Sequence, residues 1–279
     1  MNTIKLRSML EQFYLEDIGD GDLSSELLFP ETVVGELKIL AKMSGIFCGK
    51  KVIEEGMHVV DRQTEVNCYV EDGSFIEKGS IIATAKGSVQ SLLKSERVIL
   101  NLIQRMSAIA TETRRVVDII EGTGTKVCDT RKTMPGLRML DKYAVRLGGG
   151  FNHRNGLFDA VMLKDNHLAF AGSLTKAVET VKEALGHTVK IEVEIESFEQ
   201  LQEAIAVKVD IIMFDNCTPD TIREWKKIVP DTIITEASGM ITQDTIRAYA
   251  ESGVDTISLG YLTHSVKALD ISAIVTINE

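Results

Sequence analysis

Residues 189–216 read VKIEVEIESFEQLQEAIAVKVDIIMFDN: an apolar run at 189–195, a helical stretch at 197–206 and a second apolar run at 209–214. Four more strand signals flank this unit, at 126–130 (KVCDT), 160–164 (AVMLK), 231–236 (DTIITE) and 255–260 (DTISLG). Helical stretches at 137–147, 173–185, 219–228 and 242–252 lie between or after them. Six strand–helix units in regular succession predict a parallel α/β architecture. A barrel is favoured over an open sheet, because polar residues recur where nearly every strand ends: Thr130-Arg131-Lys132, Lys164-Asp165, Glu194, Asp215, Glu236 with Ser238, and Gly260. Functional groups gathered at C-terminal strand ends are the habit of such barrels. Glu192 and Glu194 share one face of their strand by alternation, and Glu194 lies nearer that C-terminal end.

Before Gly122 the pattern differs. Leu6, Met9, Leu10 and Phe13 share the face of a helix over 3–13. In EDIGDGDLSSE (16–26) the acids are spaced as in a calcium loop, but the closing position holds Leu28 when counted from Asp17. Counted from Asp20, the required sixth-position glycine is Ser25, so a turn into a serine-capped helix is expected instead. Residues 33–49 and 64–85 read as strands, with a hairpin at Asp72-Gly73. Val89–Glu121 reads as one long helix free of Gly and Pro. Of its arginines, Arg105, Arg114 and Arg115 are expected in surface ion pairs. The expected division is therefore residues 1–121 as one domain, to which the tail 265–279 returns, and 122–264 as the barrel.

The chain has 279 residues, 44% of them hydrophobic and 26% charged, enough for a sizeable core. No apolar run approaches the ~18 residues that span a bilayer, and MNTIKLRSMLEQF lacks the apolar centre of a secretory signal. Cys48, Cys68, Cys128 and Cys217 are scattered without a C-x-x-C pair, which fits reduced thiols in the cytoplasm and not a zinc site. A net charge of −10 argues against nucleic-acid and anionic-membrane partners. One stretch runs the other way. Between Arg131 and Lys164 seven cations (Arg131, Lys132, Arg138, Lys142, Arg146, Arg154, Lys164) face only Asp141 and Asp159, around the triplet Gly148–Gly150. Helix ends, backbone N–H groups and cations converging in this way suit a small, multiply charged anion.

The same stretch, with TRKTMPGLR (130–138), KYAVR (142–146), GGGFNHRNGL (148–157) and LKDNH (163–167), resembles the quinolinate phosphoribosyltransferase family. Resemblance continues at 16–25, 96–111 and 236–270. It implies an N-terminal α/β sandwich beside a parallel α/β barrel of fewer than eight strands. It also implies a magnesium-dependent reaction in NAD biosynthesis, in which quinolinate and phosphoribosyl pyrophosphate give nicotinate mononucleotide, pyrophosphate and carbon dioxide. By matching motif, Thr130, Arg131, His153 and Arg154 would bind quinolinate, with Arg97 supplied across a homodimer interface, with or without higher assembly. Lys132 and Lys164 would sit between quinolinate and donor, and Arg138 is a further candidate. Glu194 and Asp215 would hold magnesium and face the ribosyl carbon. Ser238, Gly239, Gly260 and His264 would take the 5′-phosphate; Met240 and Tyr261 depart there from the family pattern, which bears on how freely the backbone approaches it. Two other readings are a molybdenum-transport-associated paralogue of the same fold and a non-catalytic binder of phosphorylated metabolites. The intact Asn152-His153-Arg154 and Lys164–His167 segments speak against the first. Unaltered Lys132, Lys164, Glu194 and Asp215 speak against the second.

Overall fold

The computed structural model describes residues 1–277, and the chain forms two compact units. The first comprises 1–112, 139–148 and the segment from Ser265; the second comprises 113–138 and 149–264. The division falls inside the long helix and not at 121, and the helix expected within the barrel at 137–147 goes largely to the first unit. Asn278 and Glu279, the end of the expected returning tail, lie outside the described residues.

In the first unit, α1 (Thr3–Ile18) buries Leu6, Leu10 and Tyr14, four residues apart on one face, and Asn2 caps it by accepting from the Lys5 N–H. Met9 and Phe13 stay half-buried. The next turn enters α2 (Ser25–Leu28) with Ser24 at the cap position, as expected, but the capping hydrogen bonds come from Asp22, whose Oδ1 accepts from the Ser24 and Ser25 N–H groups, each at 3.0 Å. Strands β1 (Val34–Ala41), β3 (Glu65–Cys68) and β5 (Ile81–Ser88) join β12 (Ile271–Ile277) in an antiparallel sheet ordered β12-β1-β5-β3. β1 alternates strictly, with Leu37, Ile39 and Ala41 buried. β2 (Gly45–Ile46) pairs with β4 (Phe75–Ile76). Asp72-Gly73 does turn the chain, with Gly73 at φ +88°, but the strands flanking it pair elsewhere, β3 with β5 and β4 with β2. Asp72 instead caps α3 (Lys50–Val60), accepting from the Gly49 and Lys50 N–H groups, and its other oxygen takes the Tyr143 hydroxyl.

α4 (Val89–Ile119) is the long helix. Arg105 is not in a surface pair. Its Nε and Nη2 donate to the two oxygens of Asp141, both at 2.8 Å, and Asp141, on α5 (Arg138–Leu147), is fully buried.

The second unit holds β6 (Lys126–Cys128), β7 (Val161–Leu163), β8 (Ile191–Ile195), β9 (Ile211–Asp215), β10 (Ile234–Ser238) and β11 (Thr256–Ser258), all parallel and ordered β6-β11-β10-β9-β8-β7. Helices α6 (Asp165–Ala171), α7 (Leu174–Ala184), α8 (Phe198–Ala206), α9 (Pro219–Lys226) and α10 (Ile246–Ala250) link successive strands from β7 onward, and the short α11 (Tyr261–His264) follows β11. Consecutive strands are therefore neighbours, and only β6 and β7 stand apart, at the two ends of the ladder. Phe151 runs beside β6 at that seam, its N–H donating to the Val127 carbonyl at 2.8 Å and its own carbonyl accepting from Asp129 at 3.1 Å. Side chains from all six strands line shared cavities, so the sheet curls into a barrel with one seam. Val193, Ile212, Phe214, Ala237 and Ile257 point outward into a core completed by helix residues such as Leu201, Ile222 and Ile246. Among the described residues no helix is long and apolar enough to cross a membrane.

Candidate active site

Because alternate strand residues face the helices, the others must face inward, and they do so in layers. On β8 the outward Ile191, Val193 and Ile195 leave Glu192 and Glu194 inside; on β9 Met213 and Asp215 face in, and on β10 Glu236 and Ser238. The upper layer, at the C-terminal strand ends, opens into a cavity of about 410 Å³. It gathers nine of the residues read from the sequence: Thr130, Arg131, Lys132, His153, Arg154, Lys164, Glu194, Asp215 and Ser238. Met162, Met213 and Ser258 complete the lining. They carried no signal beyond their inward register.

The loop after β6 is shaped by Thr130, whose Oγ1 accepts from the Lys132 N–H at 3.0 Å, and by Thr263, whose hydroxyl donates to the Lys132 carbonyl at 2.8 Å. Gly260 lies against Lys132: a Cβ there would come within 2.9 Å of the Lys132 Cδ and 3.2 Å of His264, so glycine leaves the lysine its path. Gly260 and His264 thus flank the lining without being part of it. Arg138 does not enter the mouth either. Its guanidinium donates to Thr133 Oγ1 at 3.0 Å and the Asn155 carbonyl at 3.2 Å, which braces two loops. Arg97 belongs to the first unit, its side chain 61% exposed with Glu96 at 3.7 Å.

Lys164 makes an ion pair with Glu194. Asp215 holds its proton more tightly than an ordinary carboxyl, chiefly through burial and then through the nearby Glu194 charge, with Lys164 pulling the other way. Arg154 donates through Nη1 to the Ala160 carbonyl at 3.0 Å, while its buried Nε has no hydrogen-bond partner. Burial, and next the neighbouring Arg131, weaken its hold on its proton. Arg131 is an exposed residue close enough to repel Arg154, and the buried donor left without a partner is Arg154 Nε, which is costly unless an anion completes it.

After β10, Gly239 (φ +93°) and Met240 (φ +49°) take consecutive left-handed conformations. A Cβ at Gly239 would sit 2.2 Å from Asn216 Oδ1, so this loop closes on the one after β9 only with glycine. Met240 keeps the left-handed backbone in spite of its side chain, which is 93% exposed and turned to solvent. Successive N–H groups in such a turn form an anion-binding concavity, and the Met240 side chain points away from it into solvent.

One layer down lies a second cavity, about 330 Å³, which Glu192 and Glu236 line together with His153 and Arg154. Both glutamates are buried; burial, and then the charge of Glu192, push the Glu236 carboxyl up to about 7. His153 Nε2 lies 3.0 Å from Glu192 and 3.5 Å from Glu236. Of this layer the sequence offered Glu192, by strand alternation, and Glu236, among the polar residues at the strand ends.

Comparison with known proteins agrees with the fold. Sequence models of the quinolinate phosphoribosyl transferase N-terminal and C-terminal domains match residues 22–107 and 109–273. A probable nicotinate-nucleotide pyrophosphorylase (carboxylating) of Bacillus subtilis is 52% identical, covering 100% of this chain and 96% of its own. A probable enzyme of the same name from Synechocystis is 44% identical over 89% of this chain and 85% of its own. The crystal structure of NadC from Streptococcus pyogenes superposes with a TM-score of 0.95 at 36% identity, covering 100% and 99% of the two chains. The nicotinate-nucleotide pyrophosphorylase of Francisella tularensis gives 0.93 at 37%, covering 99% and 98%.

Proposed function

The chain belongs to the quinolinate phosphoribosyltransferase family, the carboxylating nicotinate-nucleotide pyrophosphorylases of NAD biosynthesis, and we propose that its barrel mouth divides the work by charge. Arg131 and Arg154 take the two quinolinate carboxylates. The carrying observation is the buried Arg154 Nε, which has no hydrogen-bond partner and lies in the same mouth as a second arginine. Bidentate donors of this kind suit carboxylates as a lysine's point charge does not. Lys132 and Lys164 then stand between quinolinate and donor and draw the pyrophosphate. Ser238, Gly239, Gly260 and His264 receive the 5′-phosphate at the left-handed turn after β10 and the loop after β11.

The products require a bond from the pyridine nitrogen to the ribosyl carbon while the bond from that carbon to pyrophosphate breaks. Positive charge grows on the sugar as the leaving group departs, and the Glu194 and Asp215 carboxylates at the same mouth stabilise it. They also fit magnesium: two hard oxygen donors converge at the cavity, where burial, and next the charge of Glu194, raise the proton affinity of Asp215. Magnesium, when bound, neutralises pyrophosphate charge. The four cysteines form no disulfide, which fits work in the reducing cytoplasm.

Nicotinate, with one carboxylate fewer, tests the arginine assignment. Leaving a buried cation unpaired costs about 2–5 kcal/mol, so kcat/KM for nicotinate should fall about 30-fold or more below that for quinolinate. Equal values for the two would overturn it. We further propose a homodimer in which the exposed Arg97 of one copy completes the other's site. Arg97→Ala and Lys132→Ala chains, each inactive alone, then recover to about a quarter of full activity after one-to-one exchange, since half the dimers are mixed and each mixed dimer keeps one intact site. Exchange verified with tagged chains and no recovery would remove Arg97 from the site.

A further inference from the structure

His153 lines the substrate cavity, and by motif it is a ligand of quinolinate. Its ring nitrogens are otherwise engaged. Nδ1 accepts from the Arg154 backbone N–H at 2.8 Å, and a nitrogen that accepts there carries no proton. The proton must then sit on Nε2, which faces Glu192 at 3.0 Å and Glu236 at 3.5 Å in the layer beneath. The loop that carries the ring is fixed from the same side: buried Asp129 accepts from the His153 N–H at 2.9 Å and from Asn152 Nδ2 at 2.7 Å.

We infer that His153 is a positioning residue, held from below by Glu192 and Glu236, that aims the Arg154 backbone and guanidinium at the substrate carboxylate without itself touching it. Arg154 then has three constraints, its N–H on His153, its Nη1 on the Ala160 carbonyl and the rigid loop between them, which leaves Nε directed by the fold alone. Preorganised donors of this kind cost no rearrangement when the anion arrives. The same geometry disposes of a competing use. His153, Glu192 and Glu236 each offer an atom within 4.8 Å of the others, a spacing that a metal could occupy. A neutral imidazole ligating through Nε2 would carry its proton on Nδ1, where the Arg154 N–H already points. Metal binding would require that hydrogen bond to break.

This inference rests on Arg154 as a quinolinate ligand, so Arg154→Ala is the control; an unchanged KM for quinolinate in that variant would remove the premise and leave the tautomer result standing by itself. The direct test is two-bond ¹H–¹⁵N NMR on the full-length wild-type enzyme labelled at histidine, with the His153 signals identified by their loss in His153→Gln. Expected is the Nε2–H tautomer, unchanged on saturation with quinolinate. Conversion to a doubly protonated imidazolium when quinolinate binds would make His153 a ligand and overturn the inference. Kinetics supply the second arm. A glutamine side chain can offer an acceptor and a donor in place of the two ring nitrogens, so His153→Gln should keep KM for quinolinate within about threefold. His153→Ala should raise it about 30-fold with KM for phosphoribosyl pyrophosphate unchanged. A glutamine variant as poor as the alanine variant would also overturn it, and if His153→Ala does not fold, the spectra of the wild type still decide.

Discussion

Glu194 and Glu192 leave the same strand two residues apart, on the same face, and meet opposite conditions. Glu194 is at the mouth, paired with Lys164 and close enough to Asp215 to raise that group's proton affinity. Glu192, 2% exposed, faces His153 and the buried carboxyl of Glu236 in the layer beneath. The upper layer carries repulsions and unused donors: Arg131 beside Arg154, Asp215 beside Glu194, and an orphaned guanidinium nitrogen. On the proposed assignment, anionic substrates and a cation would complete this arrangement. The lesson is that position along the barrel axis, more than residue type, decides whether a charge serves binding or support.

If that contrast holds, substitutions in the two layers should separate activity from stability. Lys164→Ala at the mouth leaves Glu194 and Asp215 without their nearby cation. On the proposed assignment the lysine acts on charge that develops at the donor, so the expected loss in kcat/KM is about 10³-fold. Arg131→Ala should cost about 10²-fold or more in kcat/KM for quinolinate. Its thermal midpoint should hold or rise slightly, because one of two repelling guanidiniums is gone. A clear drop in the thermal midpoint with either variant, measured by calorimetry, would mean that the mouth carries structural weight too and would collapse the distinction.

The lower layer is probed by pH. Glu236 has an ordinary value near 4.5 in the unfolded chain and about 7 in the fold, where burial disfavours its charged form. The folded state therefore binds this proton more tightly. The associated stabilisation is fully present below about pH 4.5 and is lost as pH rises through about 7. At one pKa unit per ~1.4 kcal/mol, the wild type should lose about 3 kcal/mol between those limits that Glu236→Gln does not lose. Urea midpoints for both proteins at pH 5 and pH 8 measure the difference. Parallel pH dependences would show that Glu236 is not the strained group, and the two layers would differ less than the geometry implies.

Much of this was legible in the sequence, because both the strand succession and the inward register follow from short-range rules. The six strands and the collection of Arg131, Lys132, Lys164, Glu194 and Asp215 at one mouth needed only strand alternation and the place where each run ends. What was not legible came from partners far apart in sequence. Asp72 looked like a hairpin residue and proved to cap a helix that begins 22 residues earlier. Arg105 looked like a surface cation and is locked to buried Asp141, 36 residues on. The engagement of His153 with Glu192 spans 39 residues; a motif that names the histidine cannot say which way its ring faces.

Met240 offers the finest test, at the rim of the upper layer. Where the family pattern has glycine, this chain places a side chain on a residue at φ +49° and turns it to solvent. A left-handed L-residue costs about 1–2 kcal/mol, while glycine gives back about 0.5–1 kcal/mol through the greater freedom of the unfolded chain. Met240→Gly should therefore stabilise by roughly 0–1.5 kcal/mol, a rise of a few degrees at most in the thermal midpoint. Met240→Val adds a β-branch in the same conformation and should destabilise. If the side chain already points away, KM for phosphoribosyl pyrophosphate should stay within about twofold in the glycine variant, because the backbone N–H groups that would meet the phosphate are set by φ and not by the residue type. A tenfold change in that KM would mean that the methionine reaches the donor, and the rim would then be selecting its substrate through a side chain and not only through the turn.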